Sequence, residues 1–231
     1  MARIDTIILV HGAFVDGSGW AGVHALLTAE GFKVIVAQLP AQSLLGDAAT
    51  VRTWVHGLKG PCILVGHGYG GAVITEVGVH PNVAGLVYVA AFAPDKGESV
   101  ASLTAEPTPG HAPPPYRPPV AGLMFLDEAK MPAAFAADVD PKATAFMAAS
   151  QVGWGMAAWT GVVGEVAWRS KPSWYLRVSD DRMIPLPAQV AMSERIGAVV
   201  SEVSGNHAIY ISNPDAVAAV IRAAADGAAK D

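Results

Sequence analysis

Cys62-Ile63-Leu64-Val65-Gly66-His67-Gly68-Tyr69-Gly70-Gly71 carries the strongest structural signal in the chain. Its first four residues are apolar, too few for a helix and rich in branched side chains, and predict a buried strand over Cys62–Val65. A glycine cluster forces a sharp turn, and Gly71–Val79, ended by Pro81, carries a helical pattern. Strand, tight turn and helix together form the setting of a G-x-S-x-G nucleophile elbow. Only the middle residue departs, since Gly68 stands where that motif has serine. A phosphate-cradling loop is the alternative, but the stretch lacks both the Lys-Ser/Thr ending of a P-loop and the spacing of a dinucleotide fingerprint. No cofactor is expected.

Further short apolar runs at Thr6–Val10, Lys33–Gln38, Gly85–Val89, Trp174–Val178 and Ala198–Val203 bring the expected strands to six. Helical patterns lie between most of them, at Trp20–Glu30, Ala48–Leu58 and Pro187–Ile196, and a final helix is expected over Pro214–Ala229. This alternation predicts an α/β protein with a mostly parallel sheet, its strands buried on both sides by helices. Ligands then belong at the carboxyl ends of the strands. From Pro94 to Pro172 the rhythm breaks. Prolines crowd the segment from Pro107 to Pro119, followed by Ala-rich helical stretches around Ala133–Ala137 and Thr144–Val152. The expectation is one domain over residues 1–231 with an inserted cap at about 95–172.

Composition narrows the function. Hydrophobic residues make up 52% of the chain and charged residues 15%, which supplies a large core and argues against disorder. Fifteen Lys plus Arg against twenty Asp plus Glu, with no dense basic run, argue against nucleic acid as a partner. No apolar stretch reaches the length of a membrane span, and Met1-Ala2-Arg3-Ile4-Asp5 leads into a strand without the pattern of a signal peptide. The single cysteine, Cys62, excludes an internal disulfide and reads as a buried inert thiol. A cytoplasmic protein, monomer or homodimer, is expected.

Two more pieces fall where an elbow needs them. Ser179-Asp180-Asp181-Arg182-Met183-Ile184-Pro185 follows the fifth strand and offers an acid, and Ser204-Gly205-Asn206-His207-Ala208 follows the last strand and offers a histidine. The order nucleophile, acid, histidine is the one such a triad takes. At the front, Leu9-Val10-His11-Gly12-Ala13-Phe14 ends the first strand in a small-residue turn. There the Ala13 N–H, with the N–H of Tyr69, would form a two-donor oxyanion hole.

On these residues the chain resembles the short α/β hydrolases of the esterase and hydroxynitrile-lyase-like group, over nearly its whole length. The resemblance rests on residues 9–14, on Val65-Gly66-His67 with Tyr69-Gly70-Gly71, on Asp181-Arg182-Met183-Ile184-Pro185 and on Gly205-Asn206-His207. Members of the group ordinarily read Gly-His-Ser-Tyr-Gly-Gly at the elbow, so the resemblance makes position 68 the nucleophile slot. It also favours Asp181 over Asp180 as the acid, with Asp95 as a third candidate, and implies a small-molecule ester or related carbonyl substrate. The cap matches only in length and position.

Phe14, Phe125, Trp154 and Trp159, with Met156, are candidates for an apolar acyl or alcohol pocket, set against simple packing within the cap. His11 and His67 are expected to shape turns, and no pair of histidines has metal-ligand spacing. Three explanations fit a glycine at the slot. The first is an esterase whose serine was deliberately replaced, to trap a substrate or empty the nucleophile site. The second is an enzyme of another class, lyase-type or using His207 as a general base without a covalent intermediate. The third is a non-catalytic ligand-binding or receptor protein. A serine codon at 68 in the source gene would single out the first.

Overall fold

The computed structural model describes residues 4–229; the expectation for Met1-Ala2-Arg3 lies outside them. The chain opens with β1 (Thr6–Val10), a 3-10 turn at Gly17–Trp20, α1 (Ala21–Ala29), β2 (Lys33–Ala37), α2 (Leu44–His56), β3 (Cys62–Gly68), α3 (Gly70–Val77) and β4 (Val83–Ala91). The middle of the chain forms α4 (Val100–Leu103), β5 (Leu123–Met124), α5 (Met131–Phe135), α6 (Pro141–Ala149), β6 (Trp154–Gly155) and α7 (Met156–Trp159). After a 3-10 turn at Ala167–Arg169 come β7 (Ser173–Val178), α8 (Leu186–Arg195), β8 (Val199–Val203), α9 (Ile209–Ser212) and α10 (Pro214–Gly227).

Six strands form one sheet in the order β2-β1-β3-β4-β7-β8, and every pairing is parallel. Helices cover it, with α1 packed on α10 and α2 on α3. Ile7, Ile8 and Leu9 of β1, Ile63, Leu64 and Val65 of β3 and Leu86, Val87 and Val89 of β4 have no exposed surface, as continuous apolar runs in the middle of a parallel sheet require. Burial on both sides fails at β8. Val199 there is 61% exposed, because β8 is an edge strand with a neighbour on one side only.

Several boundaries differ from the sequence expectation for local reasons. Helix α2 starts at Leu44 instead of Ala48 because the Ser43 side chain accepts from Gly46 N and caps it. Helix α6 starts at Pro141 instead of Thr144, with Asp140 accepting from Lys142 N and Ala143 N. Strand β3 runs three residues past Val65 to Gly68, keeping its ladder with β4 into the turn. The expected Ala133–Ala137 helix is instead α5, Met131–Phe135.

Between β4 and β7, β5 and β6 pair antiparallel as a two-stranded sheet. The proline-rich run forms no helix and no regular strand; it is a largely exposed strap, tied down by Arg117 N donating to Phe125 O and Asp127 N to Pro115 O, each at 2.8 Å. Cys62 is buried, and burial pushes its thiol up to about 12, which leaves it inert. No described helix is long and apolar enough to cross a membrane.

Candidate active site

Parallel strands bring their carboxyl ends to one rim, and β3 ends there in the elbow. Gly68 has φ +53°, in the left-handed region that a residue with a Cβ enters only at a cost. The β3–β4 register shifts between His67 and Gly68, and Phe92 N donates to Gly68 O at 3.0 Å, which holds the turn. Close approach also excludes a side chain at Gly70, where a Cβ would lie 2.6 Å from Val10 O. A Cβ built at Gly68 points at histidine: it would stand 3.1 Å from His207 Nε2 and 3.5 Å from Cε1.

A serine at 68 would therefore carry strained backbone and press on the imidazole. Strain of that kind costs roughly 1–3 kcal/mol, against some 0.5–1 kcal/mol of extra chain entropy that glycine loses on folding. The protein is expected to be as stable as its Gly68→Ser form or more so, by up to about 2 kcal/mol. Paired denaturant unfolding checks this, and a serine form more stable by over ~1 kcal/mol contradicts it.

Asp181 and His207 are both buried and meet, His207 Nδ1 lying 2.8 Å from Asp181 Oδ2. With Nδ1 donating to the carboxylate, Nε2 is the ring nitrogen left facing residue 68. Met183 N at 2.7 Å and Ile184 N at 2.9 Å donate to the other carboxylate oxygen, Oδ1, and Gln189 Nε2 donates to Oδ2 at 3.1 Å. Asp180, the neighbour in sequence, points elsewhere. It accepts from Ser204 Oγ, Ser179 Oγ and Gly205 N, hydrogen bonds that hold its carboxyl below the usual range and tie the two loops together. Asp95, the third candidate, pairs with Arg169 at 2.6 Å, and its carboxylate is engaged there.

Three supporting residues escaped the sequence reading. Gln189 is buried, donates to Ile184 O at 2.7 Å and accepts from Val178 N at 3.0 Å, so it ties α8 to the acid loop. Asp138, from the loop before α6, accepts from Asn206 N at 2.8 Å and Ser212 Oγ at 2.9 Å, clamping the histidine loop. Asp47 is fully buried, and its carboxylate accepts from Tyr69 O–H at 2.6 Å and Ala41 N at 2.8 Å, while burial pushes it up. His67, expected to shape a turn, also reaches the site: its Nε2 donates to the His207 carbonyl at 2.9 Å, and complete burial beside His207 holds the ring neutral. His11 is engaged at both nitrogens, by Gly12 O and Leu39 N. Nothing in the local pattern of Asp138 or Gln189 distinguishes them from a helix cap or a surface glutamine.

A cavity of about 20 Å³ lies at the elbow, lined by Ala13, Phe14, Gly68, Tyr69, Trp154 and His207 among others. Tyr69 stands at the start of α3, where backbone N–H groups lack intrahelical acceptors and the helix end is partly positive. Phe14 has φ +68°, a strained position held by Val152 N donating to its carbonyl at 3.0 Å and by the Trp154 ring edge-on at 5.5 Å. Trp159 lines a separate, larger cavity of about 500 Å³. Phe125 lines neither; a Cβ built at Gly153 would fall 2.8 Å from its Cζ, so the ring lies over that glycine within the cap. No cluster of metal-ligating side chains occurs among the described residues.

The chain is 33% identical over 116 residues to a carbendazim hydrolyzing esterase of a Nocardioides species, a match that covers 44% of this chain and only 48% of that relative's length. It is 29% identical to a pyrethroid hydrolase of Sphingobium wenxiniae, covering 98% of this chain and 90% of the relative. Among solved structures, a pyrethroid hydrolase from Sphingobium faniae superposes with a TM-score of 0.83 at 24% identity, over 99% of this chain and 100% of the other. Polyneuridine aldehyde esterase superposes with a TM-score of 0.80 at 17% identity, over 95% and 98%. At these identities the structures speak for the fold. The sequence profile of the alpha/beta hydrolase family matches residues 7–220, and the chain belongs to that family.

Proposed function

We propose that this protein is a carboxylic ester hydrolase scaffold that keeps its acid, histidine and oxyanion hole and lacks its nucleophile, with Gly68 in the serine slot. The observation that carries this reading is the 3.1 Å between a Cβ built at Gly68 and His207 Nε2. In a serine form His207 takes the hydroxyl proton as the oxygen attacks the ester carbonyl, and Asp181 holds the imidazole in the right tautomer. The N–H groups of Ala13 and Tyr69 receive the charge that develops on the carbonyl oxygen. Glycine has no hydroxyl, so the chain as it stands cannot form an acyl-enzyme at position 68. The names of the relatives, an esterase and a hydrolase, fit this assignment.

A second reading rests on the elbow cavity itself. Its volume of about 20 Å³ exceeds what one water needs. His207 Nε2 would then draw a proton from that water as it adds to the carbonyl, giving slow hydrolysis with no covalent intermediate.

A fluorophosphonate, which phosphonylates activated serines, tests the slot. The Gly68→Ser form is expected to take up one label on residue 68, found by peptide mass analysis, and the glycine protein none. An unlabelled Gly68→Ser form rules out position 68 as the nucleophile slot.

A further inference from the structure

The elbow cavity of about 20 Å³ has room for a water and not for an ester. Beside it lies the cavity of about 500 Å³, well within the range of small-molecule sites. The two share a wall, since Phe92, Tyr116, Met183 and Ile184 line both. We propose that the larger chamber binds the uncharged apolar arm of a carbonyl compound whose carbonyl sits at the elbow, with Tyr116 of the proline-rich strap as the movable part of the dividing wall. This rests on the elbow reading for the place of the carbonyl.

The lining sets the chemistry of the arm. Phe92, Leu103, Trp159, Ile184, Ala188 and Met192 give an apolar inner face. The one guanidinium at the chamber, Arg195, is already engaged by Glu98 Oε1 at 2.8 Å and Ala93 O at 2.6 Å, so it has little to offer an anionic ligand. Glu106 and His111 stand exposed on the strap at the rim, in reach of water. A charged arm would lose its hydration inside without gaining a partner.

The wall is also unequal. Phe92, Met183 and Ile184 are buried and come from the rim of the sheet, whereas Tyr116 is 38% exposed. The strap on which Tyr116 rides is held mainly by the hydrogen bonds of its neighbours Pro115 and Arg117 to residues 125–127. Displacing the Tyr116 ring gives up its contact with Phe14, 6.1 Å between ring centroids, but none of the backbone hydrogen bonds that hold the strap, and it joins the two cavities into one site long enough for a carbonyl with an extended arm.

The test uses the protein as it exists and methyl ketones, which present a carbonyl but no leaving group: 2-pentanone, 2-heptanone and 2-nonanone, titrated calorimetrically. Burial of each methylene is expected to tighten binding by about two- to fourfold, at least ~15-fold from 2-pentanone to 2-nonanone. Ala188→Trp, or Ala191→Trp if the first does not fold, narrows the chamber and should cut that ratio at least about threefold.

A ratio near one in the unmodified protein overturns the proposal. So does a steep ratio that survives both tryptophan variants, which would put the arm in the other groove, the cavity of about 350 Å³ lined by Phe14, Phe146 and Met147. Failure of the elbow reading shows separately, as a Gly68→Ser form that takes no fluorophosphonate label while the chain-length series on the unmodified protein stays steep.

Discussion

Gly68→Ser is expected to raise ester hydrolysis by at least ~10³-fold over the protein as it stands, the order by which a triad member matters once the others are in place. The other parts are already assembled in the glycine protein. His207 Nε2 faces the slot, Nδ1 is held by Asp181 at 2.8 Å, and the carboxylate is fixed by two backbone N–H groups and Gln189. The added Cβ, 3.1 Å from Nε2, needs the imidazole to give by a few tenths of an ångström. His207 is packed against the rings of His67 and Phe135, 4.4 Å and 4.7 Å between centroids, so those rings must shift with it. Initial rates of the two forms on aryl, alkyl and lactone esters, with His207→Ala in the glycine protein as a further control, measure the gain. No gain on any ester would remove the elbow assignment. A glycine protein whose residual rate falls with His207→Ala would instead support water attack assisted by that base.

The sheet was legible because its middle strands are continuous apolar runs broken by turns, the pattern that burial on both sides imposes, as in Thr6–Val10 and Cys62–Val65. The same pattern misleads at the edge, where Val199 and Val200 are branched and apolar yet exposed. The strand-turn-helix setting of Gly68 was legible, and its φ of +53° supplies the physical reason a turn that sharp tolerates glycine. The choice between Asp180 and Asp181 was not readable from adjacency, since side chains one residue apart leave a loop in different directions; it came from resemblance to Asp181-Arg182-Met183-Ile184-Pro185. The residues that orient the site, Asp138, Gln189 and Asp47, act across distant loops and helices, so no local spacing marks them. Aromatic character in the cap is a poor guide for the same reason. Trp154 lines the elbow cavity and Trp159 the larger chamber, while Phe125 covers Gly153.

In the Gly68→Ser background the two neighbouring aspartates are expected to part company by orders of magnitude. His207→Ala removes the base and should erase nearly all of the gain, about 10³-fold or more. Asp181→Asn should lose a comparable amount. An amide Nδ2 placed at the Oδ2 position cannot accept from His207 Nδ1, and an amide turned the other way sets its NH₂ against the N–H groups of Met183 and Ile184. Either outcome leaves a buried donor unsatisfied, and the first also releases the imidazole from the tautomer that bares Nε2 to the serine. Asp180→Asn differs in kind. Its carboxylate is exposed and accepts from Ser204 Oγ, Ser179 Oγ and Gly205 N. An asparagine Oδ1 still accepts there while the loop keeps its tie from Asp138 to Asn206 N, so the loss should stay under about tenfold. The His207→Ala, Asp181→Asn double change should cost little more than His207→Ala alone, because residues that act as one unit are not additive. Initial rates on the best ester of the Gly68→Ser form, with unfolding curves to show that each variant is folded, decide the matter. Equal losses from Asp180→Asn and Asp181→Asn would mean that the 2.8 Å contact between Asp181 and His207 does not orient the base during turnover.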